Sequence, residues 1–460
     1  LYQHHNLARD RAEAAALAFG AGLDVELPAD DCVAELGEAV SRGLLSMETI
    51  DAVVSRIVVE KLRLGLFERP YVDEEKIDLQ SPSTVALARE AARQSVVVLE
   101  NRGVLPLDPA GGQRIALVGP TADDPLAPLC GYSFPVHLIL NDAGESASQV
   151  VTPRAAFEKV FGDRVAYAQG CVLIEERKYG SPVFPGDVEE GASLDQSSPV
   201  STRTDLIPDA VECARAAEVA VVCVGDLAGL FQTGTVGEGS DADSLDLPGV
   251  QQQLLEAVVE AGTPVVVVLT GGRPYNLGGL EDEVAAFVWA FAGGQEAGPA
   301  LVDVLTGVAE PSGRLPVSVP KNVGAVPYYY NHKMKSAGTP IARHFGSRYP
   351  FGFGRSYTSF ELTDLELEAS EVDTAGEIRL RLTVRNTGDR KGVAVPQLYA
   401  RDLLASVVRP VKELKASGRV ELGPGEGARV ELAVPADMLS FTGLEGRRIV
   451  EPGEIELQVG

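Results

Sequence analysis

The sequence predicts an α/β fold in three successive segments, and three observations carry that reading. Between residues 114 and 270, short unbroken β-branched runs ("RIALVGP", "AVVCVGD", "PVVVVLT") end in glycine or polar residues and are separated or preceded by helical segments. Unbroken apolar strands are buried on both faces, which means a mostly parallel sheet under helices. After Tyr349 the pattern changes to strict alternation broken by Gly, Pro, Asn and Asp, the mark of an antiparallel sandwich of about 100 residues. At 460 residues the chain is also too long for one ordinary domain.

The elements follow in order. An alanine-rich helix over about Leu7–Gly20 runs into "GLDVEL", which reads as a strand. Helices are expected over Asp31–Arg42 and Ser46–Leu64. In the second, Ile50, Val53, Val54, Ile57, Val58 and Leu62 fall at helical spacing, with Ser46 as N-cap. This helix–strand–helix–helix piece is too small to bury both faces of a barrel-type sheet. The polar stretch Phe67–Ser83 reads as a linker. Helix Thr84–Gln94 leads into the buried strand "SVVVLE", and helices Asp209–Ala217 and Gly249–Ala261 accompany the parallel strands. Residues 321–348 are loop-like and aromatic. The sandwich strands are "IRLRLTVRNTGD", "AVPQLYARD", "ARVELAVP" and "EIELQVG".

Composition excludes several function classes. Lys plus Arg is 40 against 66 Asp plus Glu, a net charge of −26. Such a chain repels phosphate backbones and anionic lipid, so neither nucleic acid nor a membrane is an expected partner, and a neutral substrate fits better. No apolar run reaches the ~18 residues of a membrane span. The five cysteines are scattered and form no ligand spacing, so they read as buried thiols, which favours a cytoplasmic over a secreted setting. The five histidines show no metal spacing, no G-x-G-x-x-G or P-loop occurs, and no G-x-S-x-G occurs. Neither a metal nor a cofactor is expected.

That leaves carboxylates. "TVGEGSDADSLDLPG" (Thr235–Gly249) is too polar for a core strand and opens too rich in glycine for a helix. It falls in the loop after strand Val219–Gly225, where functional residues of such sheets gather. Gly237 and Gly239 let Glu238 approach a ligand closely, and a glutamic acid in a partly desolvated cleft can act as general acid. Asp243 and Asp246 read as belonging to the turn into the next helix. From spacing alone the whole stretch reads as an ordinary acidic loop, and composition does not lift it further. Asp24 and Glu26 read as structural, "YYYNHK" (Tyr328–Lys333) as junction packing or an aromatic wall for a ligand, and Trp289 as buried.

Many separate stretches, in order, resemble glycoside hydrolase family 3, the β-glucosidase and β-xylosidase family. They include "DRAEAAALAFGAGLDVELP" (Asp10–Pro28), "AREAARQSVVVLENRGVLPL" (Ala88–Leu107), "IALVGPTADDP", "LCGYSFPVHL", "EGSDADSLDLPGVQQQLL", "GGQEAGPALVDVLTGVAEPSGRLPVSVP" (Gly293–Pro320), "YPFGFGRSYTSFEL" (Tyr349–Leu362) and "VVRPVKELKASGRVELGPGE". The resemblance covers nearly the whole chain and corresponds to the family's C-terminal portion, lacking most of the N-terminal barrel.

The resemblance implies an α/β architecture made of the tail of a (β/α)8-like barrel (1–66), a linker (67–83), an α/β sandwich domain (84–322), a second linker (323–356) and a fibronectin-III-like domain (357–460). It implies an exo-acting, retaining β-glycosidase, most simply a β-glucosidase, with two carboxylates about 5–5.5 Å apart. The general acid/base of an E-G-x-D segment maps onto Glu238, although Ala242 stands where many relatives have arginine. Asp241 of the same motif, together with Tyr132 and His137 of "GYSFPVHL", are the candidate substrate-binding residues. Substrates would be oligosaccharides or β-glycosides, and a homo-oligomer is compatible with the family.

The nucleophile is expected in a Ser-Asp-aromatic segment just before the "DRAEAAALAFGAG" helix. Ser240-Asp241 is followed by Ala and lies in the wrong domain, so the nucleophile is expected upstream of Leu1. The isolated chain is therefore expected to be inactive. The alternatives are a β-xylosidase of the same family, or a non-catalytic module for sugar binding or assembly, or half of a split enzyme.

Overall fold

The computed structural model describes all residues except 3–4, 28–29, 132, 134–135, 137–148, 177–197, 231, 335 and 337–345. The chain divides into two compact units, Leu1–Ser81 and Pro82–Gly460.

In the first unit, α1 (Arg11–Gly20) is capped by Asp10, whose Oδ1 accepts the Glu13 N–H at 2.9 Å. A 3₁₀ turn and the short α2 (Leu36–Ser41) occupy the stretch expected to be one helix. The long α3 (Met47–Arg63) starts at Ser46, whose hydroxyl accepts the Thr49 N–H at 3.1 Å, as the sequence predicts. Ala12, Phe19, Ala39, Leu45 and Val53 form a small core. The "GLDVEL" segment is not a strand: residues 23–27 pair with no strand among the described residues, and Leu27 is exposed. A strand is defined by ladder hydrogen bonds to a neighbour, which alternation in one segment cannot supply. Residues 64–81 are exposed turns with one short 3₁₀ segment.

The second unit opens with α4 (Pro82–Ser95), which leads into a six-stranded sheet. Its strands are β1 (Val97–Asn101), β2 (Ile115–Val118), β3 (Val165–Ala168), β4 (Val219–Gly225), β5 (Val265–Thr270) and β6 (Ala286–Phe291), in spatial order β1-β6-β5-β4-β2-β3. All neighbours are parallel except β1 with β6. Every residue of β2, β4 and β5 is buried, which explains why these strands read as unbroken apolar runs.

The helices are α5 (Pro153–Phe161), α6 (Ile207–Arg215), α7 (Gln251–Glu260) and α8 (Ala297–Leu305). One sheet face packs Ala116, Val222 and Val267 against Ala210, Ala214, Leu254 and Val258 of α6 and α7. The other packs Leu117, Val221 and Val268 against Phe157 of α5 and Leu301 and Leu305 of α8. β2 is the switch point of the sheet: β3 lies on one side of it and β4 on the other. Loops leaving the C-terminal ends of β2 and β4 therefore flank the switch point, the place where functional residues of such sheets gather.

Past residue 320, a two-stranded β7–β8 ribbon (Val319–Pro320 with Ser347–Tyr349) precedes the antiparallel sandwich. Its main strands are β9 (Phe360–Leu367), β10 (Glu377–Asn386), β11 (Gly392–Ala394), β12 (Gln397–Asp402), β13 (Glu413–Ser417), β14 (Val420–Leu422) and β15 (Gly427–Pro435), followed by the short β16 (Phe441–Thr442) and β17 (Arg448–Ile449) and by β18 (Ile455–Val459). β10 sits between β15 and β9, and β12 between β13 and β18. Ile378, Leu380, Leu382 and Val384 of β10 point inward, the alternation read from "IRLRLTVRN". The α/β layer and the sandwich are joined through Arg355, whose N–H bonds Val98 O at 2.8 Å and whose Nε bonds Leu99 O at 2.9 Å.

Candidate active site

The loop after β4 is fixed at both ends. Where it leaves the strand, the Gln251 side chain accepts the Gly225 N–H at 2.8 Å and donates to Gly225 O at 2.9 Å. The next residue, Asp226, is fully buried. Its Oδ1 accepts from the Tyr275 hydroxyl at 2.5 Å, the Thr235 hydroxyl at 2.9 Å and Arg273 Nη1 at 3.4 Å. Burial pushes the Asp226 carboxyl above its usual range, against the pull of Tyr275, Arg273 and Thr235. Burial, with Asp226 alongside, also pushes the Tyr275 phenol up. Arg273 Nη1 further donates to Thr235 O at 3.2 Å and Nη2 to Ser240 O at 3.3 Å. One guanidinium thus spans a hairpin of the main chain whose tip is Gly237-Glu238-Gly239.

Glycine is obligatory in this loop for steric reasons. At Gly237 φ is +131°, and an added Cβ would lie 1.7 Å from Gly229 O. A Cβ on Gly131, in the loop after β2, would lie 2.2 Å from the Gly237 Cα. The two loops flanking the switch point therefore meet backbone to backbone directly beside Glu238. This close approach leaves no room for any side chain at either position.

Glu238 itself is exposed and forms no hydrogen bond or ion pair with a described residue. Its carboxylate thus has no partner among the described residues, while the loop that carries it is tied down by Arg273. Asp241 is exposed and lines a cleft of about 580 Å³ together with Gln232, Ser240, Asp243, Asp246 and Arg273. Asp246 is held in a local turn, accepting from the Ser244 hydroxyl at 2.8 Å and bridging to Asn276. It does not cap α7, which begins without a side-chain cap. Tyr132 and His137 lie outside the described residues, as does Phe134.

The remaining candidates have structural partners. Asp24 pairs with Arg56 at 2.6 Å, which lowers its carboxyl below the usual range. Glu26 accepts the Cys32 and Val33 N–H groups at 2.8 and 2.9 Å. Tyr330 stacks on Phe351 with centroids 3.9 Å apart, and its hydroxyl accepts the Leu414 N–H, so "YYYNHK" packs at the sandwich junction. Trp289 is buried and donates to Gly271 O at 2.7 Å. Not all cysteines are buried thiols: Cys130 is exposed, with φ +63°, because the chain turns sharply there to bring Gly131 against Gly237. Among the described residues no group of three or more His, Cys, Asp or Glu could hold a metal ion.

Sequence reasoning missed Asp226, Arg273 and Tyr275. Their signal was present: "AVVCVGD" ends a fully apolar strand on a carboxylate, and "TGGRPYN" follows the next strand with a cation and a phenol. An acid and a base at the C-terminal ends of adjacent parallel strands are brought together by the sheet.

Residues 96–357 match the glycosyl hydrolase family 3 C-terminal domain, and residues 394–460 the fibronectin type III-like domain. A periplasmic β-glucosidase of Salmonella typhimurium is 32% identical across 99% of this chain and 60% of its own length. A β-xylosidase of Formosa agariphila is 30% identical across 99% of this chain and 60% of its own. The solved structure of a β-glucosidase from Erythrobacter marinus superposes with a TM-score of 0.86, at 32% identity, over 100% of this chain and 60% of that one. The glucose complex of a Listeria innocua β-glucosidase gives 0.82 at 30% identity, over 99% and 59%. The chain thus spans about 60% of the length of these relatives. Since the first of these domain matches takes in more than half of the residues, the chain belongs to glycosyl hydrolase family 3, of which it carries the C-terminal α/β domain and the fibronectin type III-like sandwich.

Proposed function

We propose that this chain supplies the acid/base half of a retaining, exo-acting β-glycosidase that removes terminal β-linked sugars, a β-glucosidase in the first instance. Glu238 protonates the glycosidic oxygen as the bond to the leaving group breaks. It then deprotonates the water that attacks the glycosyl-enzyme. The observation that carries this reading is the carboxylate of Glu238, exposed and without a partner among the described residues, at the tip of a loop clamped by Arg273 at the sheet's switch point. The nucleophilic aspartate is assigned to the portion of the relatives that this chain does not span. Asp241, Tyr132 and His137 remain the candidate contacts to substrate.

The loop's architecture suits that division of labour. A general acid must meet a leaving oxygen within about 3 Å, so its carrier must hold position while its carboxyl stays unpaired. The test is Glu238→Gln in the complete enzyme. Hydrolysis of a glycoside with a poor leaving group should collapse, while one with an activated leaving group should be hit far less in its first step. Comparing aryl β-glucosides with aryl β-xylosides on the parent enzyme separates the β-glucosidase reading from the β-xylosidase one, which the likeness to the Formosa enzyme keeps in play.

A further inference from the structure

A cleft of about 290 Å³ lies where the α/β layer meets the sandwich, far from the β4 loop in sequence. Ser312 and Arg314 line it from one side, and Ser417, Gly418 and Arg419 from the other. Its charged lining residues are both arginines, on a chain whose net charge is −26.

Arg314 donates Nη1 to Gly313 O at 2.9 Å, and Arg419 donates Nη2 to the Ser312 hydroxyl at 3.3 Å. Among the described residues neither forms an ion pair. Two acids act on them through their charge, Glu310 on Arg314 and Glu90 on Arg419, and both also hold other donors: Glu90 accepts from Gln94 at 2.7 Å and Arg93 at 3.3 Å, and Glu310 accepts from the Ser356 hydroxyl and the Tyr357 N–H. Burial disfavours the charged form of Arg314 and pushes its pKa down, while the same burial pushes Glu310 up toward its neutral form. Each guanidinium charge is thus only partly offset, and among the described residues each arginine makes a single side-chain hydrogen bond, which leaves further donors for a ligand.

We propose that this cleft binds a small tetrahedral oxyanion of the sulfate or phosphate class, held between Arg314 and Arg419 with the Ser312 hydroxyl as a third donor. The two arginines belong to the two layers and line one cleft, and a tetrahedral dianion offers oxygens to both at once, where a flat carboxylate offers one edge. The volume is several times the roughly 30 Å³ share of one water, ample for such an ion. The bound ion ties the sandwich to the α/β layer.

The test is thermal unfolding of the 460-residue chain with rising sodium sulfate or sodium phosphate, at ionic strength held constant with sodium chloride. The expected result is a saturable rise in Tm, because a ligand that binds only the folded state stabilises it by mass action. Arg419 is exposed, so Arg419→Gln leaves folding intact; it should weaken the apparent affinity at least tenfold, whereas Arg385→Gln, on the sandwich surface, should not. An equal rise in Arg419→Gln, or no rise beyond that of chloride, overturns the site. An equal saturable rise with acetate overturns the assignment to a tetrahedral oxyanion.

Discussion

Arg273 Nη2 donates to the Ser240 carbonyl at 3.3 Å, two residues past Glu238, while Nη1 of the same side chain holds the Thr235 carbonyl three residues before it. The Glu238 loop is thus closed by a single guanidinium that holds its backbone on both sides of Glu238 and also reaches the Asp226 carboxylate at its start. Arg273→Lys replaces the fork with a point charge that cannot span both carbonyls. In the complete enzyme kcat should fall tenfold or more with a poor leaving group, while circular dichroism stays that of the parent. Unchanged kcat in a folded Arg273→Lys enzyme would show that the clamp does not position Glu238.

The loop's second constraint is steric. Gly237→Ala places a Cβ on the Gly229 carbonyl and imposes a φ that L-residues avoid, so the loop must move. The expected loss is about 1–3 kcal/mol of stability together with most of the activity. Gly262→Ala is the control, since Gly262 also has positive φ (+85°) but its Cβ would meet nothing within 4 Å. It should lose roughly 1 kcal/mol of stability at most and keep its activity. Equal losses in the two variants would mean that backbone conformation alone, and not the contact with Gly229, fixes the loop.

Two carboxylates bend the stability curve in opposite directions. Arg114 holds Glu218 at about 2, down from an ordinary 4.5. A lowered folded-state pKa contributes stability above 4.5 that is lost as pH falls toward 2. Glu218→Gln should therefore flatten the acid limb in that window. Asp226 is raised by burial, so the folded state holds its proton more tightly and stability falls as pH climbs past the usual carboxylate range. The stability gap between the parent and Asp226→Asn should shrink from pH 4 to pH 7, measured by urea unfolding. A gap that widens with pH would contradict the sign.

Much of the fold was legible because burial writes itself into composition. β4 and β5 are enclosed on both faces, so nearly every position must be apolar, and the runs stand out. β10 is enclosed on one face and alternates. "GLDVEL" misled because alternation is necessary for a half-buried strand but does not create the neighbour it must pair with. At the candidate site, the flanking glycines and the family motif single out Glu238 in the sequence. Its support was not legible, because Asp226 and Arg273 lie 47 residues apart and are joined only by the pairing of β4 with β5. The contact between Gly131 and Gly237 was hidden for the same reason: nothing local marks a glycine that is needed by a distant one.

The central claim is that Glu238 is the general acid/base. The most direct measurement is kcat/KM, which reports the first step alone, for Glu238→Gln in the complete enzyme on a series of aryl β-glycosides whose leaving groups range from poor to activated. The account predicts a loss of at least a hundredfold for the poorest leaving group, in line with the usual ~10²–10⁴-fold contribution of general acid–base catalysis, shrinking steadily as the leaving group improves. A parallel, leaving-group-independent loss, or rates equal to the parent across the series, would contradict it.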